Sequence, residues 1–189
     1  MEATDGRVRR RVRNQDAVVD AILGLLDEGL AQPTAQEVSG RSGVSMRSIF
    51  RLFDDMEALH RTAIERQIER VTPLLVDLPA DGPLAVRIET LVVNRGEVFE
   101  AISPVRRLAV RLAPTSPPIR DELQRFGRFF RDQLAAVFAT ELGDDDEVLL
   151  EALDVATCWE AWERLRIGQG LSAENAAEVT TRALTALLA

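Results

Sequence analysis

An all-α protein is what this sequence predicts, and three observations predict it. Apolar residues recur at three- and four-residue spacing along most of the chain. Glycine or proline, followed closely by serine, threonine or aspartate, separates these stretches in the manner of helix stops and starts. No segment shows the strict alternation of a half-buried strand. At 189 residues and 46% apolar content, the chain can bury one ordinary core, or a small domain joined to a medium one.

About nine helices follow from the punctuation. The first spans Asp16 to Leu30, with Val19, Ile22, Leu23 and Leu26 on one face and Gly29 at its end. Thr34 caps the second, with Glu37 closing a capping box, and Gly43 ends it. Ser45 caps the third almost at once. A fourth starts at Asp54 or Asp55 and runs to about Leu78, with Pro73 set to kink or interrupt it. A fifth covers Leu84 to Ile102, and Ser103-Pro104 reads as the start of a sixth. After the loop Pro114 to Pro118, with Ser116 as a cap, a seventh covers Ile119 to about Leu142. The acidic run Asp144 to Glu147 opens an eighth that reaches about Ile167. Ser172 caps the last.

Charge is unevenly placed. The net charge is −8, and all 23 basic residues are arginine, a usage that suggests a GC-rich, hence bacterial, genome. Residues 1–53 carry eight arginines against seven acids, and Arg7, Arg9, Arg10, Arg11 and Arg13 fall within seven residues. This basic arm, 1–13, is expected to be disordered. Domains are expected at 14–53 and 54–189, joined without a flexible linker. No apolar run matches a membrane span, the first thirty residues lack a signal-peptide pattern, and the lone Cys158 excludes an internal disulfide. A cytoplasmic protein is expected.

The stretch from Thr34 to Phe53 carries the chemistry. Val38, Val44, Ile49 and Phe53 are spaced to lock two short helices together, which leaves Arg47, Ser48 and Arg51 pointing outward. A short rigid helix of this kind fits a DNA major groove. Arg47 and Ser48 lie where base edges are read, and arginine pairs with guanine through two hydrogen bonds. Met46 can meet a thymine methyl, and Arg51 suits a phosphate.

The segment TAQEVSGRSGVSMRSIFRLFDDMEAL, from Thr34 to Leu59, resembles the tetracycline-repressor (TetR) family of transcription regulators, and the order of the later helices is similar. The resemblance implies a helix–turn–helix DNA-binding domain ahead of a helical effector-binding and dimerisation domain. It implies a repressor, released from a palindromic operator on double-stranded DNA by a small-molecule effector. The DNA-contacting set is then Thr34, Ser45, Met46, Arg47, Ser48, Phe50 and Arg51, with Arg9, Arg10, Arg11 and Arg13 of the arm. Several positions depart from the family pattern. Gly40 and Ser42 stand where alanines are usual, Phe50 where a tyrosine commonly meets a phosphate, Leu52 where histidine is frequent, and Met56 where a lysine anchors a phosphate. Anchoring is expected to lean on the arginine arm instead, because each phosphate neutralised releases counterions.

An effector cavity rests on the resemblance, with Arg95, Phe99, Phe126, Phe130, Gln133 and Trp159 as its residues; a filled core fits the same spacing. Arg95 lies on the apolar stripe of Ile88, Leu91, Val92 and Phe99, where a charge needs a partner. It can hold an anionic ligand, or pair with Glu97, Glu100 or a group on another helix, and the second reading is favoured. Trp162, Leu165, Val179, Ala183, Leu184 and Leu187 are expected to form a homodimer interface from the last two helices, against the alternative of packing within the chain. The fourth helix is expected to link the two domains.

Two other classes compete with this reading. An enzyme is disfavoured: His60 is the only histidine, no phosphate-cradling glycine loop is present, and the acids from Asp144 to Glu147 read as a helix start. No metal or cofactor is implied. A helical dimeric interaction protein with weakened or lost DNA binding is the alternative, on the strength of the departures at Phe50 and Met56.

Overall fold

The computed structural model describes residues 2–143 and 146–189, with side chains from residue 6 onward. Asp144 and Asp145, and so half of the acidic run, lie outside the described residues. Helices account for most of the described residues and none forms a strand, so the all-α expectation holds.

The helices are α1 (Glu2–Asp27), α2 (Ala35–Ser42), α3 (Met46–Leu52), α4 (Met56–Val71), α5 (Leu84–Leu112), α6 (Pro117–Val137), α7 (Ala139–Leu142), α8 (Glu147–Thr157), α9 (Trp159–Glu163) and α10 (Ala173–Leu187). They group into two compact units: 1–72 with 104–119, and 73–103 with 120–189. The division falls within α5, between Ser103 and Pro104, and near the start of α6.

In the first unit, α1 is longer than expected. Arg7 to Arg13 continue it as helix instead of forming a separate disordered arm. Nothing from Arg7 to Asp27 is proline, and arginine is a good helix former. The unit's core takes Val18, Val19, Ile22, Leu23 and Leu26 from α1 with Val38, Ile49, Phe53, Leu59 and Ala63. The unit also includes α4, where the sequence had placed a boundary after residue 53. The reason is lateral: α4 buries Leu59, Ala63 and Ile64, while Arg66 pairs with Asp16 at 2.8 Å and Arg70 with Asp20 at 2.6 Å on α1. Asp55 caps α4 by accepting from the Ala58 amide at 2.7 Å. Proline at 73 stops it, leaving a 3₁₀ turn at Thr72–Leu74. So α4 lies wholly in the first unit, and α5 and α6 contribute to both. The Ser116 hydroxyl does not cap α6; it donates to Glu57 at 2.7 Å.

In the second unit the core is Ile88, Leu91, Val92, Leu134, Val137, Phe138, Leu153 and Leu184. Three elements differ from the sequence expectation. First, α5 runs unbroken through Pro104. Proline in a helix interior costs about 3 kcal/mol, but Phe99 and Ile102 before it, and Val105 and Leu108 after it, are all buried, so packing on both sides outweighs the local penalty. Second, the helix expected to reach Leu142 breaks at Phe138, which is fully buried. Third, the helix expected from the acidic run to about Ile167 breaks at Cys158, whose backbone is extended (φ −71°, ψ 163°). It resumes as α9 and ends in a π-helical turn, Arg164–Gly168. Ser172 caps α10 as expected, accepting from the Asn175 amide at 3.1 Å, and within the acidic run it is Asp146 that caps α8, accepting from the Leu149 amide at 2.9 Å.

Candidate nucleic-acid interface

Local chemistry builds the α2–turn–α3 motif. The Thr34 hydroxyl accepts from the Glu37 amide at 3.3 Å, and the Glu37 carboxylate accepts from the Thr34 amide at 2.8 Å and hydroxyl at 2.7 Å. These bonds hold the Glu37 carboxyl below the usual carboxylate range. Gly43 takes the left-handed conformation (φ 69°, ψ 8°), which a Cβ would oppose, and its amide returns to Ser39 at 3.1 Å. Two residues later the Ser45 hydroxyl accepts from the Ser48 amide at 3.3 Å and opens α3. Val38, Val44, Ile49 and Phe53 are buried, as their spacing requires.

The opposite face of α3 is open. Arg47 and Arg51 are exposed, Met46 and Phe50 are about half exposed at 48% and 47%, and Ser48 is half-buried. On the other side of the motif, Arg41 reaches Glu28, just past the end of α1, with bonds of 2.6 and 3.0 Å, which ties α2 to its scaffold.

The α1 arginines join this face. A depression of about 560 Å³ is lined by Arg7, Arg10, Arg11 and Asn14 of α1 and by Ser48, Arg51 and Leu52 of α3. A second, of about 570 Å³, is lined by Gly6, Arg9, Arg10, Arg13 and Asn14. Arg9, Arg10, Arg11 and Arg13 are thus rigidly spaced on a helix, and two of them share a concavity with the motif. The sequence reading passed over Asn14. Its signal was available: Asn14 stands four residues after Arg10, on the same helical face once α1 is extended. The Thr34 side chain is exposed but engaged in its capping box.

In the second unit, Arg95, Phe99 and Phe130 come together. The Arg95 guanidinium carbon lies 4.2 Å from the Phe130 ring centroid and 6.0 Å from that of Phe99. The two rings meet edge-on at 5.4 Å, and Phe126 meets Phe130 edge-on at 6.1 Å. Gln133 stands elsewhere: it donates to the Val76 carbonyl at 2.9 Å and lines a separate depression of about 340 Å³ with Asp77, Leu78 and Phe129. The Trp159 indole donates to the Ser103 hydroxyl at 2.9 Å. Beside Arg95 is a cavity of only about 10 Å³, lined also by Trp162 and Thr180. Arg95 pairs with groups on other helices, as favoured, donating to the Phe130 carbonyl of α6 at 2.7 Å and, at 3.4 Å, to the Thr157 carbonyl of α8; among the described residues no carboxylate ion-pairs with it, and Glu100 instead accepts from Trp162 at 2.8 Å and Arg166 at 2.7 Å. Glu100 lies nearer the turn carrying Arg166, one helical turn beyond Arg95.

The expected dimer residues divide. Trp162 and Leu184 are buried within this chain, because Trp162 packs on Phe99 and Leu184 enters the core, so neither offers open surface. Leu165 and Ala183 are half-buried, whereas Val179 and Leu187 are exposed. Val148 and Val155 of α8, unremarked in the sequence reading, add exposed apolar surface at 81% and 67%. Among the described residues no cluster of histidine, cysteine and acidic groups could hold a metal, and no helix is long and apolar enough to cross a membrane.

No known family model matches the chain, and no curated protein matches it in sequence. Among solved structures, a transcriptional regulator from Rhodococcus sp. Rha1 is similar, with a TM-score of 0.69 at 17% identity over 94% of this chain and 95% of that one. At that identity the likeness is one of fold, and the protein carries the all-α fold of that regulator over nearly its whole length.

Proposed function

We propose that this chain is a homodimeric, sequence-specific DNA-binding transcription regulator of the TetR type, released from a near-palindromic operator by a small-molecule effector. The observation that carries the reading is the capped, glycine-turned α2–α3 pair, whose open face shares a basic concavity with α1. Arg47 and Ser48 read base edges, with Met46 beside them; Arg51 and the α1 arginines neutralise phosphates. The fold shared with a transcriptional regulator supports the same reading.

Exposed Val148 and Val155 on α8, with Val179 and Leu187 on α10, supply the apolar face for the dimer. Two-fold symmetry then sets the reading helices about 34–36 Å apart, one DNA turn. An effector held in the second unit shifts the population toward a conformation whose reading heads no longer match the operator. Its route is α5 and α6, which contribute to both units.

Selection of bound fragments from a random DNA pool tests the reading. A palindromic consensus with half-sites one turn apart is expected. Failure to enrich any sequence above random DNA at moderate salt favours the alternative, a helical dimeric interaction protein. Exposed Phe50, in place of a phosphate-binding hydroxyl, is the feature that supports that alternative.

A further inference from the structure

We propose that Arg95 anchors a buried carboxylate site, filled by a small organic acid or by the acid head of a larger apolar ligand. The proposal rests on the effector reading of the second unit and names the chemical class of that effector.

Arg95 is 2% exposed, yet it has no anionic partner among the described residues. Its guanidinium donates to two neutral acceptors, the Phe130 carbonyl at 2.7 Å and, at a long 3.4 Å, the Thr157 carbonyl. Two aromatic rings cover it, and its Nε–H has no partner at all. Of the five donors an arginine carries, most lack a strong acceptor. Burial pulls its pKa down to about 10, so it remains a cation at neutral pH. Asp154 contributes the largest opposing field without an ion pair, and burial pushes its own carboxyl upward.

Arg87, eight residues earlier on the same helix, shows what a satisfied buried arginine looks like here. It is 5% exposed, forks onto both oxygens of Glu141, and donates to the Val137 carbonyl at 2.7 Å. Arg95 lacks only the carboxylate.

The space for one lies alongside. The cavity of about 10 Å³ is walled by the Arg95 side chain and by Phe99, Trp162, Thr157, Thr180 and Cys158. Both threonine hydroxyls already donate within their own helices, to Leu153 and Ala176. The unclaimed donor facing this space is therefore the guanidinium. As it stands the cavity has room for about one water. A carboxylate with an apolar body needs more, so its entry must displace side chains that wall the cavity, Cys158 among them at the junction of α8 and α9. A planar carboxylate matches the guanidinium fork through two parallel bonds.

The test uses the full chain and its own fluorescence, since Trp159 and Trp162 are its two tryptophans and Trp162 lines the cavity. Acetate, hexanoate and benzoate are titrated against hexanamide and chloride at constant ionic strength. A saturable change is expected with an acid, and about tenfold weaker or none with the amide. A response to acetate assigns a small acid; a response to hexanoate or benzoate alone assigns an acid head on an apolar body. Arg95→Met should abolish the response while the unfolding midpoint holds or rises, and Arg95→Lys should weaken it. If Arg95→Met does not fold, the acid–amide comparison in the unaltered protein decides. Equal binding of acid and amide, no saturable response to any acid, or unaltered hexanoate binding by Arg95→Met overturns the proposal. Operator binding is measured on the same samples. DNA binding with no carboxylate response removes the site but leaves the regulator reading; carboxylate binding without a change in DNA affinity keeps the site and removes the effector reading.

Discussion

Among the described residues, only the second unit buries arginines. In the first, Arg10, Arg11, Arg13, Arg47 and Arg51 are exposed, and Arg66, Arg70 and Arg41 form ion pairs at the edges of helices. In the second, Arg87 and Arg95 are inside. An outward guanidinium stays hydrated and adds to a surface field, which suits a polyanion. An inward one has lost its water and must recover that loss from specific acceptors. Arg87 recovers it from Glu141, and the pairing holds its pKa up and that of Glu141 down. Arg95 does so only in part. The same residue type thus makes an exposed basic surface in one unit, a structural strut in the second, and, eight residues on, a buried cation held by neutral acceptors alone.

Substitutions can break or sharpen this contrast. The largest effect is expected from Arg87→Met, which strands Glu141 and should cost about 2–4 kcal/mol in chemical denaturation. Arg95→Met removes a charge that strands no partner, so it should be near neutral or stabilising; equal losses at the two positions would erase the distinction. On the outer surface, Arg47→Ala should cost about 1–3 kcal/mol on the selected operator and relax one base position. Arg10→Ala and Arg11→Ala should weaken binding to every sequence alike, lowering the slope of log affinity against log salt by about 0.9 each. An unchanged slope would detach α1 from the interface. Thr34→Ala removes the capping box and should cost about 1 kcal/mol of stability, read by thermal unfolding.

The smallest effect concerns acid. His60 is 4% exposed and its Nε2 has no partner; burial lowers its pKa from 6.5. The unfolded chain therefore binds the proton more readily. Its contribution to stability is complete above pH 6.5 and declines as pH falls from there toward the lowered folded value. Unfolding curves at pH 7.5 and 5.5 should show a loss that shrinks in His60→Gln; an undiminished loss would place the acid sensitivity elsewhere.

Much of the first unit was legible. Thr34, Gly43, Ser45 and Asp55 act within three or four residues of themselves, so their roles follow from local backbone chemistry. The inward face of Val38, Ile49 and Phe53 follows from period alone. The reach of α1 was not, because a run of arginines looks the same whether helical or disordered. In the second unit the cap at Ser172, and a helix start within the acidic run, were legible for the same local reason. Trp162 was misplaced as dimer surface, since a tryptophan on a helical stripe gives no sign of which neighbour it faces.

The sequence by itself determined the helical class, the order of the caps and turns, and which residues of α3 are left outward, because each depends on neighbours within one or two turns. Only the tertiary structure decided that α5 passes through Pro104, that the chain breaks at Cys158, and that Arg95 meets Phe130 and Thr157 instead of Glu100. Those acceptors stand 35 and 62 residues away in the chain. Which groups meet across such separations is set by how whole helices pack, and a helical stripe records only that a residue is buried.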